Sequence, residues 1–399
     1  MVLLGTLLSS GSQVRVSAQL VQAPSGTLVR AITAQSTTGE IFQLQDTLAT
    51  SIVDSLSLSL SPRDRDRMHR DAPATPEAYE CYLRANQLRA DSAQWATARD
   101  LYQRCLRLDP EFAPAWAWLG RCYRLLGRFG DASEAAANLA RGEEALKRAL
   151  EINPDLSLAH RLYAQIEVES GHAPEAMVRL LARVRDAPSQ PELFAGLVHA
   201  CRYCGLLDAS VAAYERARGL EPRIVTSVAN TFMQMGDFER AIETDVSDFP
   251  FAKAFAYARL GRAPDGVALL QAALARATHP QLRAAIACTL AFLEGKHDEV
   301  IRLIHELIDA DFGEPEGFYH WAGALAQAGD HDGALLQLER CLRSGYYPAS
   351  AMVGDPRFDP LRATADFRDI ARRADELRHN AIDAFRRAGG PRALGLSQA

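Results

Sequence analysis

Few side chains in this 399-residue chain are spaced for bond-making chemistry. The sharpest set is Cys201-Arg202-Tyr203-Cys204, a C-x-x-C with His199 just before it. On a helix the two thiols share a face, where they can hold a metal or exchange a disulfide. A structural zinc site takes four ligands, and no second C-x-x-C or H-x-x-x-H completes this one. Packing cysteines are the expectation, with a redox role as the alternative. His305-Glu306-Leu307-Ile308-Asp309 opens like the H-E-x-x-H of zinc proteases, but Asp309 takes the place of the second histidine. No phosphate-binding G-x-x-x-x-G-K-[ST] loop, G-x-S-x-G elbow or kinase signature set occurs. The sequence therefore predicts no enzymatic activity, no cofactor and no metal.

Composition narrows the partners. A net charge of −6 argues against a dedicated nucleic-acid binder, which would show a basic excess. No apolar run approaches the roughly 18 residues of a membrane-spanning helix. The seven cysteines are odd in number and lack framework spacing, as expected of reduced, buried thiols in a cytosolic compartment. Val2–Leu8 followed by Val16-Ser17-Ala18 has the outline of a signal peptide. No Lys or Arg precedes the apolar run, and Arg15 sits beside the supposed cleavage site, so a cytoplasmic location is expected.

The elements that must position any site come from internal repetition. Pro154, Pro188 and Pro222 stand 34 residues apart, and each is placed to close a helix it cannot continue. Gly171 and Gly205 fall between helices in the same register, where a left-handed turn suits glycine. In Trp116-Ala117-Trp118-Leu119-Gly120-Arg121-Cys122-Tyr123, Trp116, Leu119 and Tyr123 share one helical face. Gly120 has no side chain to keep a second helix away. This W-x-x-L-G-x-x-Y stretch and the proline period resemble the tetratricopeptide repeat.

The resemblance implies a mainly α chain, a solenoid of helical hairpins stacked into a right-handed superhelix, over residues 78–347. Eight units are expected, the first from Ala78 to Pro110. The step from Pro110 to Pro154 leaves ten extra residues over one period, around 131–141, where Asp131–Ala137 favours a lengthened helix or an added turn. After Pro222 the register loosens. Gly236, Gly261, Gly295 and Gly329 then mark the turns of further units, each followed by an apolar helix.

The same resemblance supplies a candidate site. In this fold the first helix of each unit lines a concave groove, which implicates Trp118, Arg121, Arg124, Arg161, Gln165, His199, Arg202 and Tyr203. Four arginines with two aromatic rings suit an acidic or C-terminal peptide, because Arg makes bidentate bonds to carboxylates and stacks on rings. The competing expectation is a solvated surface in which Glu167 and Glu169 offset the arginines. The Lys and Asn pattern of carboxylate-clamp repeats is absent: Ala117, Arg121, Arg161 and Gln165 stand there, so chaperone-tail binding is not expected.

Residues 1–60 have a different pattern. Val2–Leu8, Gln13–Val21 and Thr27–Ala34 are apolar runs separated by turn-like Ser9–Ser12 and Ala23–Gly26. Val14, Val16, Ala18 and Leu20 alternate with polar residues, so a three-stranded antiparallel meander is expected. Ile41, Leu44, Leu48, Ile52 and Leu56 then describe an amphipathic helix, before Ser55–Leu60 switches to period two.

Leu4-Gly5-Thr6-Leu7, Arg15-Val16-Ser17-Ala18-Gln19-Leu20-Val21 and Ile41-Phe42-Gln43-Leu44-Gln45-Asp46 resemble the later half of the TolB amino-terminal-like domain of bacterial regulators. That family has a further strand and helix upstream, so the α/β domain is read as partial. Two explanations follow: a longer regulator begins upstream of Met1, or the open sheet edge takes a strand from a partner or a second copy. Residues 61–77, with Pro62–Arg67 alternating in charge, read as a linker. Residues 348–399 read as a charged capping helix over Ala363–Arg387 and a tail disordered beyond Pro391.

Together these features predict a non-enzymatic scaffold that binds a protein or peptide, with no nucleic acid and no membrane among its partners. The resemblances imply two alternatives. One is the sensor or output arm of a signalling enzyme or transcription regulator. The other is a small-molecule effector sensor.

Overall fold

The computed structural model of the chain describes residues 2–37, 44, 47–48, 50–52, 71–244 and 249–397. The helix expected from Ile41 to Leu56 lies largely outside these residues, as do the Ser55–Leu60 tail and positions 61–70 of the linker. The chain divides into two compact units, residues 1–84 with 103–112, and residues 85–102 with 113–399.

In the first unit, β1 (Val2–Ser10), β2 (Gln13–Gln22) and β3 (Thr27–Thr37) form an antiparallel sheet in the order β1-β2-β3. Val2 pairs with Val21 and Ser10 with Gln13, so the first turn is as tight as Gly11 permits. Along β2, Val14, Ala18 and Leu20 are buried while Arg15 and Gln19 are exposed, the alternation of a half-buried strand. All nine residues of β1 are exposed.

The helices begin with α1 (Pro76–Leu88) and α2 (Trp95–Leu108), in the place expected for the first unit. Seven packed hairpins follow among the described residues. They are α3 (Ala113–Phe129) with α4 (Ala135–Ile152), α5 (Ser157–Glu169) with α6 (Ala173–Asp186), and α7 (Pro191–Tyr203) with α8 (Leu207–Leu220). Next come α9 (Val228–Met235) with α10 (Phe238–Thr244), and α11 (Phe251–Arg259) with α12 (Ala263–Arg276). The last are α13 (Pro280–Leu293) with α14 (His297–Asp309), and α15 (Pro315–Ala328) with α16 (His331–Arg343).

The punctuation is local. Pro110, Pro154, Pro188 and Pro222 each fall two residues beyond a helix end, after Leu108, Ile152, Asp186 and Leu220. The six predicted turn glycines, from Gly171 to Gly329, all take positive φ, which a side chain would strain. The ten extra residues form a short 3-10 turn, Ala132–Glu134, and lengthen α4. At the α3–α4 crossing a Cβ on Gly120 would lie 2.9 Å from the Gly142 carbonyl oxygen, so the two glycines let the backbones touch.

The hairpins do not run on in one direction only. Within this unit α13 packs against α3, and Phe129 meets Phe312 with ring centroids 5.8 Å apart. The Tyr347 amide donates to the Tyr203 carbonyl at 2.8 Å, tying the end of the array to its middle. After α17 (Ala349–Gly354), α18 (Ala365–Arg387) packs on α6 and α16 through an apolar face that includes Phe367, Ile370 and Phe385. The tail is ordered further than expected. Pro391 opens α19 (Gly390–Leu394), where it gives up no needed hydrogen bond, and Leu394 is buried.

Candidate ligand cavity

A cavity of about 580 Å³ opens among the returning hairpins. Trp118, Arg121, Arg124, Arg161, Gln165, His199 and Arg202 line it, brought together from α3, α5 and α7. Tyr203 is not on its wall. Its side chain is fully buried, and its hydroxyl donates to Glu314 beneath the surface. The sequence register was enough to place Arg202 on the wall but not to turn its neighbour outward.

The arginines differ in what they already hold. Arg124 and Arg128 both donate to Glu169, the latter at 2.9 Å. Burial alone would raise the Glu169 carboxyl, but these two cations hold it at about 2. Arg161 donates to Glu192 at 2.6 Å and to the Val225 carbonyl at 2.6 Å. Arg202 makes a bidentate pair with Glu316, both bonds at 3.0 Å, and its third nitrogen serves Ser227. The offsetting acids foreseen from the sequence are therefore partly real. Glu169 neutralises cavity arginines, whereas Glu167 faces Arg179 instead.

Arg89 and Arg121 have no carboxylate partner among the described residues. Arg121 donates to the Arg89 carbonyl at 2.9 Å. The Arg89 guanidinium lies 3.6 Å from the Trp118 ring centroid, and Arg121 lies 6.0 Å from it. Burial, then the neighbouring Arg124, Arg89 and Arg161, bring the Arg121 guanidinium down to about 10, so it remains charged at neutral pH.

His199 Nδ1 receives a hydrogen bond from Arg202 at 3.1 Å. A guanidinium can only donate, so the imidazole proton sits on Nε2. Burial and the Arg202 charge keep the ring neutral, well below its usual titration range. Its Nε2–H has no partner among the described residues.

Sequence reasoning missed the remaining wall. Phe249, Phe251, Phe255, Phe292, Phe312 and Trp321 come from the irregular later hairpins, where the repeat register had faded. Arg89 and Arg128 were missed as well: the groove positions were not read in the first unit, which holds Arg89, and Arg128 lies beyond them.

The C-x-x-C does not enter the cavity. Cys201 and Cys204 are fully buried in the main apolar cluster, and burial pushes the Cys201 thiol up to about 12. A thiol held protonated in this way is poor in the thiolate that redox exchange needs. His305 is exposed on α14 and faces Asp330 at 3.4 Å. Among the described residues no cluster of three His, Cys, Asp or Glu side chains stands ready for a metal. No described helix is long and apolar enough to cross a membrane.

Stacked helical hairpins around a cavity lined by charged and aromatic side chains define a helical-repeat protein. Residues 89–141 match the family model described as tetratricopeptide repeat. A putative adenylate cyclase 3 of Rhizobium meliloti (strain 1021) is 28% identical over 120 residues, which are 30% of this chain. The match spans only 20% of that relative's length. Solved structures with similar chains include the APC/C hetero-tetramer Cut9–Hcn1, at 13% identity and a TM-score of 0.43, covering 84% of this chain and 81% of that one. Human IFIT1, as a dimer with m7Gppp-AAAA, is 14% identical with a TM-score of 0.36, covering 88% and 78%. A tetratricopeptide repeat protein from Parabacteroides merdae ATCC 43184 is 11% identical with a TM-score of 0.29, covering 76% and 99%.

Proposed function

We propose that the chain is a non-enzymatic interaction scaffold of a bacterial regulatory pathway, located in the cytoplasm. It binds a protein or peptide partner through an acidic segment held in the arginine-rich cavity. The observation that supports this reading is the convergence of arginines from three successive hairpins on one cavity, with Arg89 and Arg121 left without a carboxylate. A partner's carboxylate would supply the missing bidentate acceptor. Fluorescence anisotropy of labelled acidic peptides, titrated with the protein and with an Arg121→Glu/Arg161→Glu variant, tests it. The variant is expected to bind at least about tenfold more weakly, since a hydrogen bond to a charged group contributes about 1.5–3 kcal/mol. Equal binding would overturn the reading.

The name of the Rhizobium relative favours a second reading, in which the array is the sensing arm of a longer signalling enzyme. Its start would resemble the later half of a TolB-like domain. The coding sequence upstream of Met1 decides this. An in-frame catalytic domain supports it, and an in-frame stop removes it.

Self-association belongs to the same proposal. β1 is an edge strand with no charged residue and no proline, the devices that usually block pairing. Val2, Leu3, Leu4, Leu7 and Leu8 are each between 44% and 67% exposed. Two copies of this edge can pair antiparallel about a two-fold axis, each satisfying the other. Light scattering on the full chain should give a dimer that Leu4→Lys/Leu8→Lys converts to a monomer. A wild-type monomer at every concentration would end the idea.

A further inference from the structure

The cavity lining combines charged and aromatic side chains, and its unpaired buried groups are of a single kind. Among the described residues His199 Nε2, Arg161 Nε and Arg128 Nε are buried without partners, and all three residues line the cavity. Every one is a donor. Among the described residues no cavity-lining side chain leaves a buried acceptor unpaired. Each is closed off as the side chains stand, so an acceptor reaches it only as the lining shifts, but a lining that keeps several unpaired donors and no unpaired acceptor favours a ligand that accepts. Histidine is the most specific of the three. Only 8% of it is exposed, and Arg202 and Ser227 fix its ring from the Nδ1 side.

Charge sets the sign of the acceptor. Seven arginines and five glutamates line the cavity, an excess of at least two positive charges, since burial keeps Glu314 partly protonated at neutral pH. A monoanion is drawn in by that excess. The planar guanidinium of Arg121, which has no carboxylate partner among the described residues, offers such an anion the paired N–H donors that match a carboxylate.

The lining also carries an aromatic set, Phe249, Phe251, Phe255, Phe292, Phe312 and Trp321. A free anion such as acetate would leave these rings wet. A volume of about 580 Å³ lies within the roughly 300–1,000 Å³ typical of sites for compact ligands.

We propose that the cavity takes an amphipathic carboxylate, with its oxygens received by Arg121, Arg161 and the His199 Nε2–H and its large apolar group laid against the phenylalanine rings. The inference rests on the reading that this cavity is the binding site, and it names what that site selects. Two sources offer this chemistry: the carboxyl end of a peptide that finishes in an aromatic residue, and a free aromatic acid.

Calorimetric titration of the full chain at neutral pH tests it. The probes are 3-phenylpropionate, its amide, acetate, a hexapeptide ending in phenylalanine, and the same peptide amidated. At least one of the two aromatic carboxylates is expected to bind at least about tenfold more tightly than its own amide and than acetate. Arg121→Gln should remove that preference, as should His199→Phe, which keeps a ring but deletes the donor. Circular dichroism of both variants confirms that they fold, and Arg121→Lys should restore part of the preference by returning the charge. Binding of the peptide alone assigns the source to a chain end, and binding of phenylpropionate alone assigns it to a free acid. Either outcome supports the proposal.

Amides that bind as tightly as acids would overturn it, as would acetate matching phenylpropionate. Absence of binding by every probe would do the same. Acidic peptides that bind through Arg121 and Arg161 with no aromatic preference would sink this inference while leaving the scaffold reading intact. If those peptides ignore the Arg121→Glu/Arg161→Glu change, the scaffold reading falls as well.

Discussion

At the scale of single residues, the cavity wall joins groups that chain distance hides. Arg124 and Glu169 are 45 positions apart, and Arg202 and Glu316 are 114 apart. The register placed the arginines because a groove position recurs in every repeat, but it says nothing about the acid a returning hairpin brings opposite. Glu314 shows the consequence most clearly. It caps α15 by accepting from the Glu316 and Gly317 amides, and Tyr203 donates to it from α7. Burial, then the nearby Glu316 charge, push its carboxyl up to about 7 from an ordinary 4.5. The folded protein thus holds this proton more tightly than the unfolded chain does. The group's contribution is fully present at pH values below about 4.5 and is lost as pH rises towards 7. Glu169 acts in the opposite sense: its contribution is present at pH values above about 4.5 and is lost as pH falls towards 2. Urea denaturation between pH 5 and pH 7.5 should show wild-type stability falling across this window. The fall should be smaller in Glu314→Gln, and an identical slope would show that Glu314 does not titrate there.

At the scale of elements, the sequence was most legible where the signal is local. Helix-closing prolines, turn glycines and the W-x-x-L-G-x-x-Y stretch each act within a few residues of chain, and each falls where the period placed it. The shortened α9 and α10, of eight and seven residues, break that period and carried no readable register. Helix glycines separate into two kinds that sequence alone does not distinguish. A Cβ on Gly120 would stand 2.6 Å from Leu146 Cγ as well as close to the Gly142 carbonyl, whereas a Cβ on Gly219 would meet nothing within 4 Å. Gly120→Ala should therefore cost about 1–3 kcal/mol through overpacking at the α3–α4 crossing. Gly219→Ala, on the exposed face of α8, should instead add about 0.4–1 kcal/mol by restricting the unfolded chain. Thermal unfolding of the two variants should shift in opposite directions, and a shared sign would contradict the packing described for α3 and α4.

At the scale of the array, repetition alone suggests a stack in which each hairpin answers only to its neighbours. The structure adds long-range ties: α13 on α3, α18 on α6, and the Tyr347 amide on the Tyr203 carbonyl. Nothing in a 34-residue period encodes these, because they depend on the summed rotation of several hairpins. With them in place, the helices from α3 to α18 should unfold in one step. Far-ultraviolet dichroism, tryptophan fluorescence and amide exchange in α5, α7 and α15 should report a single transition. A sequence of transitions running from one end would show that the ties contribute little. The Tyr347–Tyr203 tie also has a mechanical side. An open stack of hairpins is a spring that lengthens turn by turn under load. A chain whose far end is pinned to its own middle is closer to a buckle: it bears tension with little extension until the pin gives way, and then releases its stored length at once.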